Sequence, residues 1–226
     1  MEAPSLPRAG LAPAGRAGRI GLPRGFFARS AAAVARELVG ARLLCDPDAP
    51  GEVEAIIVEV EAYEGLDDPA SHAFRGPRGR ARVMFGPAGH LYVYLSYGMH
   101  LCANVVCEPA GTAAAVLLRA ALVTEGEGTV RARRRRPSGS ALDVAALLRG
   151  PGNLGAGLGL SLDDNGLDLC EGGSRLRVLR RACRPPLAVG PRVGISRAAD
   201  RPLRFAWAGH PAVSRPMPRG AWGPLP

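Results

Sequence analysis

An α+β fold is predicted by three features of this 226-residue sequence: a curved, mainly antiparallel β-sheet flanked by helices, with a protruding β-hairpin. Short apolar or alternating runs recur with brief connections, as antiparallel strands require. One strong helix signal precedes them. A tyrosine-rich segment, Leu91-Tyr-Val-Tyr-Leu-Ser-Tyr-Gly-Met-His100, then reads as a strand running into a Ser-Tyr-Gly turn.

Residues 1–24 repeat Ala, Pro, Gly and Arg with few large apolar side chains, too little buried surface to offset the entropy of ordering, so they are expected to form a flexible tail. An Arg-rich, acid-poor start is also the composition of a transit peptide, but the Pro and Gly content spoils an amphipathic helix. Residues 25–215 read as one domain and 216–226 as a C-terminal tail. Ser30 is a plausible N-cap for the Ala- and Val-rich run to Val39, with Gly40 as the stop. Strands are expected over Arg42 to Cys45, Val53 to Tyr63, Leu91 to Ser96, Leu101 to Cys107 and Ala114 to Leu122. The long connection Gly65 to Gly89, with Arg78, Arg80 and Arg82, is read as a nucleic-acid-contacting loop. The run Arg131 to Arg136 and the following Pro137-Ser-Gly-Ser140 are read as a solvated, self-repelling segment, with phosphate contact the alternative. A short helix is expected over Ala141 to Leu148. Another opens at Gly150-Pro-Gly-Asn-Leu154, where the backbone amides near Gly152 and Asn153 can meet a phosphate. Leu176 to Leu179 and Leu203 to Ala208 suggest a last pair of strands, with Arg192-Val-Gly-Ile195 between them.

A hydrophobic content of 47% suits one sizeable core. The net charge of +9 favours a polyanionic partner, because neutralising phosphates releases condensed counterions. All 29 basic residues are arginine. Without lysine, no lysine Schiff base can form with an opened sugar, which excludes lysine-dependent strand cleavage. The five scattered cysteines contain no Cys-x-x-Cys pair, and the four histidines lie far apart. Neither a disulfide framework nor a metal site is expected. No secretory core and no span of about 20 apolar residues is present, so a cytoplasmic protein is expected, without membrane association.

Alternation along Val53 to Tyr63 projects Glu59, Glu61 and Tyr63 together and leaves Ile56, Val58, Val60 and Ala62 on the other side. Glu61 and Tyr63 can then share a pocket. Tyr92 and Tyr94 share one face of the next strand, while Tyr97 falls out of register at the turn and is a candidate for the hairpin tip. Two carboxylates two positions apart on a strand are separated by about 7 Å, a spacing compatible with an inverting sugar hydrolase. That alternative explains neither the positive charge nor a tyrosine at a hairpin tip.

Val58-Glu-Val-Glu-Ala-Tyr-Glu-Gly65, Asp68-Pro-Ala-Ser-His72, Met84-Phe-Gly-Pro-Ala-Gly89, Tyr92-Val-Tyr94, Tyr97-Gly-Met-His100, Asn104-Val-Val106, Val116-Leu-Leu-Arg-Ala120 and Gly150-Pro-Gly-Asn-Leu154 occur in order over roughly residues 25 to 210. In this the sequence resembles the alkyladenine (3-methyladenine, methylpurine) DNA glycosylase family. The resemblance implies a monomeric, cofactor-free and metal-free enzyme that flips alkylated or deaminated purines out of double-stranded DNA. It would hydrolyse the N-glycosidic bond and leave an abasic site. It implies that Glu61 and Arg119 surround the nucleophilic water, that Tyr63 and Tyr94 sandwich the flipped base, and that His72 contacts it. It also implies that Asn104 excludes purines carrying the guanine 2-amino group, and that Tyr97 fills the gap in the stack, with Met99 beside it on the DNA.

The chemistry agrees with these roles. Electron-rich rings stack well on a cationic purine. A carboxylate beside the sugar can deprotonate water for attack on the anomeric carbon, and a neighbouring arginine favours its ionised form. A cationic leaving base needs little protonation. A neutral one needs a general acid, which no residue here clearly supplies. The sequence departs from the family at Arg78-Gly-Arg-Ala81, where a Thr and an Asn are frequent, and after Ala120, where Ala-Leu-Val-Thr replaces Leu-Glu-Pro. A non-catalytic protein that binds damaged DNA is the alternative.

Overall fold

In the computed structural model, which describes residues 19–134 and 142–217, a nine-stranded antiparallel sheet carries the fold. The helix expected after Ser30 is α2 (Ala31–Leu38), preceded by a single turn, α1 (Arg24–Phe27). Ser30 caps α2 by accepting a hydrogen bond from the Ala33 N–H at 3.4 Å. Ala31, Val34, Ala35 and Leu38 recur at helical spacing and are buried against the sheet. Gly40 ends the segment at φ +90°, where a Cβ would come within 2.4 Å of the Cys183 carbonyl oxygen.

The strands are β1 (Ala41–Cys45), β2 (Val53–Tyr63), β3 (Leu91–Ser96), β4 (His100–Cys107), β5 (Ala114–Glu125), β6 (Leu148–Arg149), β7 (Leu176–Arg181), β8 (Leu187–Gly190) and β9 (Arg204–Trp207). Their main order is β3-β4-β5-β2-β1-β7, with β6 on β5 and β9 joining β2 to β8. One edge of β2 is thus divided: residues 53 to 56 pair with β1, and residues 59 to 61 with β9. The change of partner falls between Ile56 and Glu59, so Glu59 and Glu61 lie where β9 takes over from β1.

Simple alternation fails at this point. The β2–β5 register shifts between Ile57 and Glu59 and again between Glu59 and Val60. Ala55, Ile57, Val60 and Ala62 therefore share the main core, whereas Val58 joins a small cluster with Ala120, Ala145 and Ala212. The expected grouping of Ile56, Val58, Val60 and Ala62 is corrected accordingly, because an extra residue in a bulge reverses the parity of everything beyond it.

Other expectations change too. From Arg19 on, the expected tail is tied down: Arg19 pairs with Glu52 at 2.8 Å, and the Leu22 N–H donates to the Val178 carbonyl at 2.7 Å. Residues 1–18 lie outside the described residues. The Gly65 to Gly89 connection contains three 3-10 segments, Gly65–Asp67, His72–Arg75 and Gly79–Phe85. Within the Arg131 to Arg136 run, residues 131 to 133 end α3 (Glu127–Arg133), held by an i,i+4 pair from Arg131 to Glu127 at 2.7 Å and by Arg133 to Asp46 at 3.1 Å. Residues 135–140, and so Pro137 to Ser140, lie outside the described residues. The helix expected over Ala141 to Leu148 is a Val144–Ala146 3-10 turn followed by β6, with Ala141 outside the described residues. Asp143 accepts from the Ala145 N–H at 2.8 Å and tightens this stretch into a turn. The strand β8 carried no clear sequence signal. The helix expected at Gly150 is α4 (Pro151–Gly157), so close to β4 that a Cβ on Gly155 would fall 2.2 Å from the Leu101 carbonyl oxygen. No helix among the described residues is long and apolar enough to cross a membrane.

Candidate active site

The end of β2, at Tyr63, opens on a cleft of about 450 Å³, a volume typical of small-ligand sites. Its walls include Tyr63 from the end of β2, His72 from the connection, Tyr92 and Tyr94 from β3, Asn104 from β4 and Arg119 from β5, with Val193 to Ile195 closing one side. The residues expected to act on a base therefore converge from five segments.

Glu61 is fully buried, and all its bonds come from different neighbours. One oxygen, Oε1, receives the Val193 N–H at 2.7 Å and lies 3.2 Å from a terminal nitrogen of Arg119. The other, Oε2, accepts the Tyr63 hydroxyl at 3.0 Å. Burial pushes the Glu61 carboxyl above its ordinary range, and the opposing pull of Arg119, Val193 and Tyr63 does not offset it. Arg119 favours ionisation as expected, but desolvation has the larger effect.

Glu59, a possible second acid on sequence grounds, is committed to structure. Its Oε1 accepts from Arg119 Nε at 2.9 Å, Arg204 Nε at 2.7 Å and the Ser214 hydroxyl at 2.9 Å, and its Oε2 accepts from the Ser214 N–H at 2.6 Å. Fully buried and saturated with donors, it is not free to activate water. The two-carboxylate sugar hydrolase is set aside on this ground.

The aromatic wall is ordered by its own contacts. Tyr92 and Tyr94 stack with centroids 5.6 Å apart and planes at 25°, and His72 meets Tyr94 edge-on at 4.5 Å. The Tyr92 hydroxyl is 2.9 Å from His72 Nδ1. Burial pushes the Tyr92 phenol up to about 12, and desolvation among the aromatic rings lowers the His72 pKa and so favours its neutral form. Burial also raises the phenols of Tyr63 and Tyr94. Asn104 is buried and donates its amide to the Tyr92 carbonyl at 3.2 Å, which fixes the side chain against the cleft.

Tyr97 lies at the tip of the β3–β4 hairpin and is 85% exposed, which rules out a core role. It takes φ +50° and Gly98 φ +69°, with the Met99 N–H returning to the Ser96 carbonyl at 3.1 Å. Two successive positive φ values match the hairpin turns that continue strand twist. A tyrosine in this region is strained by about 1 kcal/mol or more, the kind of outlier that points to function. Met99 is exposed beside it, and Tyr97 borders the cleft.

The remaining expected DNA contacts lie apart from this convergence. Arg78, Arg80 and Arg82 are exposed and outside the cleft lining. In α4, Asn153 spends its amide on the Arg149 carbonyl at 2.6 Å, and Gly152 packs so tightly under His100 that a Cβ would meet it at 2.8 Å. Pro151 is the α4 residue that reaches the cleft.

Several residues important to the site escaped the sequence reading. Arg192 and Asp68 form a fully buried pair, bonded through both carboxylate oxygens, with 2.9 Å between Arg192 Nη2 and Asp68 Oδ1. The same guanidinium donates to the Ala62 carbonyl at 3.0 Å and lies 4.6 Å over the Tyr63 ring. The pair thus holds Tyr63 from behind and anchors the loop whose next residue, Val193, binds Glu61. Asp68 stood within a recognised phrase and Arg192 within a noted segment. Their partnership spans 124 residues, and no local spacing encodes it.

Residues 25–211 match a family described as methylpurine-DNA glycosylase. A protein of Rhodopseudomonas palustris named "Putative 3-methyladenine DNA glycosylase" is 47% identical over 198 residues, covering 88% of this chain and 90% of its own length. Proteins with the same name from Mycobacterium sp. (strain KMS) and Mycobacterium tuberculosis (strain H37Rv) are each 49% identical, over 185 and 187 residues. Both alignments cover 80% of this chain, with 86% and 87% of the respective relatives.

Proposed function

The chain belongs to the methylpurine-DNA glycosylase family and is a hydrolase of the N-glycosidic bond, and from that premise we propose that it flips alkylated or deaminated purines out of duplex DNA and releases them, leaving an abasic site. The observation that carries this reading is Glu61, buried behind the cleft and held by three residues that line it, Arg119, Val193 and Tyr63. Glu61 takes a proton from water, the water oxygen bonds to the anomeric carbon, and the electrons of the breaking C–N bond leave with the base. A cationic base such as 3-methyladenine departs neutral and needs no acid. The raised pKa of Glu61 makes it a stronger base, closer to the operating pH where general bases work best.

Tyr63, Tyr94 and the neutral His72 receive the base. Asn104 restricts which purines fit. Tyr97, with Met99, occupies the vacated position in the stack, since inserting an apolar or aromatic group offsets part of the cost of unstacking. The exposed Arg78, Arg80 and Arg82 contact phosphate on a single copy of the protein.

Tyr97→Ala should leave the thermal midpoint and the affinity for undamaged duplex nearly unchanged while weakening preference for a lesion duplex about 5- to 150-fold, the scale of one base–aromatic contact of 1 to 3 kcal/mol. Titrations of lesion and plain duplex at several salt concentrations test this. A large fall in the midpoint with intact lesion preference would refute the assignment.

The function itself is tested by incubating the protein with duplexes containing hypoxanthine, ethenoadenine or 7-methylguanine, then treating with alkali. Abasic sites should appear, with the strand intact before alkali and no complex trapped by borohydride, because the chain has no lysine. Binding without base release on all three would favour a damage-binding protein instead. A trapped complex would refute the monofunctional mechanism.

A further inference from the structure

Ser214 lies three positions beyond the last residue matched to the family, yet it touches the ionic network beneath the cleft at three points. We propose that the segment carrying Ser214 is a latch, with Ser214 a positioning residue that aims Arg119 at Glu61. This rests on the reading of Glu61 as the base.

The argument is geometric. The Arg119 guanidinium is a rigid plane with three nitrogens. Its Nε donates to Glu59 at 2.9 Å and its Nη2 to the Ser214 hydroxyl at 3.1 Å, while its Nη1 lies 3.2 Å from Glu61. Two anchored nitrogens fix the plane, and so fix the third. Ser214 provides one anchor directly and steadies the other, because its hydroxyl and N–H hold the two oxygens of Glu59 at 2.9 and 2.6 Å. The segment is itself secured: Arg204 donates to Glu59 at 2.7 Å and to the Arg215 carbonyl, so one side chain binds both the network and the chain beyond Ser214. Ala212 is buried with Val58 and Ala120, and its N–H donates to His210 Nδ1 at 3.1 Å.

Ser214 reaches neither the cleft lining nor any part of the aromatic wall. Its removal should therefore affect chemistry and spare recognition. The titratable and charged groups around Glu61 are Glu59 and Tyr63 on β2, Arg119 on β5, Tyr94 on β3 and Arg192 in the closing loop, with Arg204 of β9 reaching it through Glu59. Of these, Arg119 and Glu59 bond Ser214, and Arg119 is the one of the two in contact with Glu61. If Arg119 drifts away, the ionised carboxylate of Glu61 loses stabilisation and its pKa rises further. The acid limb of the activity profile then moves to higher pH.

The test uses the full chain and duplex DNA methylated with dimethyl sulfate, with released bases resolved by chromatography in single-turnover experiments from pH 5 to 9. Ser214→Ala should slow release about 10- to 100-fold, the scale of a small misplacement near the reacting atoms. Its acid limb should move to higher pH, and affinity for lesion duplex should stay within about twofold of the parent. Ser214→Thr, which keeps the hydroxyl, should restore the rate and the profile. A Ser214→Ala protein with the parent rate and profile would overturn the latch. So would a slowed variant whose acid limb does not move, because general loosening of the fold would then account for the loss. Glu61→Gln, measured alongside, separates the two levels. If it releases bases normally, the base assignment fails and the latch with it; if it is inactive while Ser214→Ala is normal, only the latch fails.

Discussion

Glu61→Gln should slow base release by at least about a hundredfold, the usual scale for losing a positioned general base, while lesion binding and folding persist. Gln is nearly isosteric: its carbonyl oxygen can still accept the Val193 N–H, and its amide N–H can donate to the Tyr63 hydroxyl oxygen, so the cleft keeps its shape. Arg119 loses a charged partner but retains Glu59 and Ser214. The ionised carboxylate is disfavoured by burial, so removing its charge should cost the fold little. Single-turnover excision and lesion-duplex titration, measured on the same preparation, check this. A normal excision rate would sink the assignment of Glu61 as the base.

Asp68→Ala should destabilise the protein by about 3 to 5 kcal/mol, because removing one member of a buried pair leaves the other charge uncompensated. Arg192 has no exposed surface to retreat to, and its guanidinium would remain beneath the Tyr63 ring. Urea unfolding at pH 7 measures the loss. Burial alone would raise the Asp68 pKa, but the Arg192 bonds and the N–H groups of Ala70 and Glu64 outweigh it and hold the carboxyl below its ordinary range. A depressed folded pKa means that this stabilisation is present above the unfolded aspartate value of about 3.9 and fades as pH falls through the lower folded value. The difference in stability between parent and variant should therefore shrink in strong acid. A loss below about 1 kcal/mol at pH 7 would show that Arg192 finds another partner or water.

The latch, the Asp68–Arg192 pair and the bulge in β2 have one thing in common: each joins segments far apart in the chain. By contrast, α2 was legible because its cap, its apolar spacing and its terminating glycine all lie within eleven residues, Ser30 to Gly40. The extents of β2 and β3 were legible for the same reason, and so was Tyr97, whose turn is written by the adjacent Gly98. Where the sequence suggested a helix over Ala141 to Leu148, a local Asp143 turn and pairing with β5 prevailed.

By itself, the sequence determined the α+β class, the absence of lysine chemistry, the family resemblance and the nomination of Glu61, Tyr63, His72, Tyr94, Asn104 and Arg119 as one site. These follow from residue identities and short-range periodicity, which survive in any arrangement of the chain. Only the tertiary structure decided that Glu59 is a structural carboxylate, that Glu61 is held by a backbone N–H 132 residues away, and that Ser214 and Arg204 brace the network from the end of the domain. Glu59 and Glu61, separated by Val60 alone, look alike in sequence, and β-strand alternation places both on one face. The bulge and the divided edge of β2 give them different neighbours. Glu59 is spent on four donors, whereas burial raises the pKa of Glu61, whose partners Tyr63, Arg119 and Val193 line the cleft.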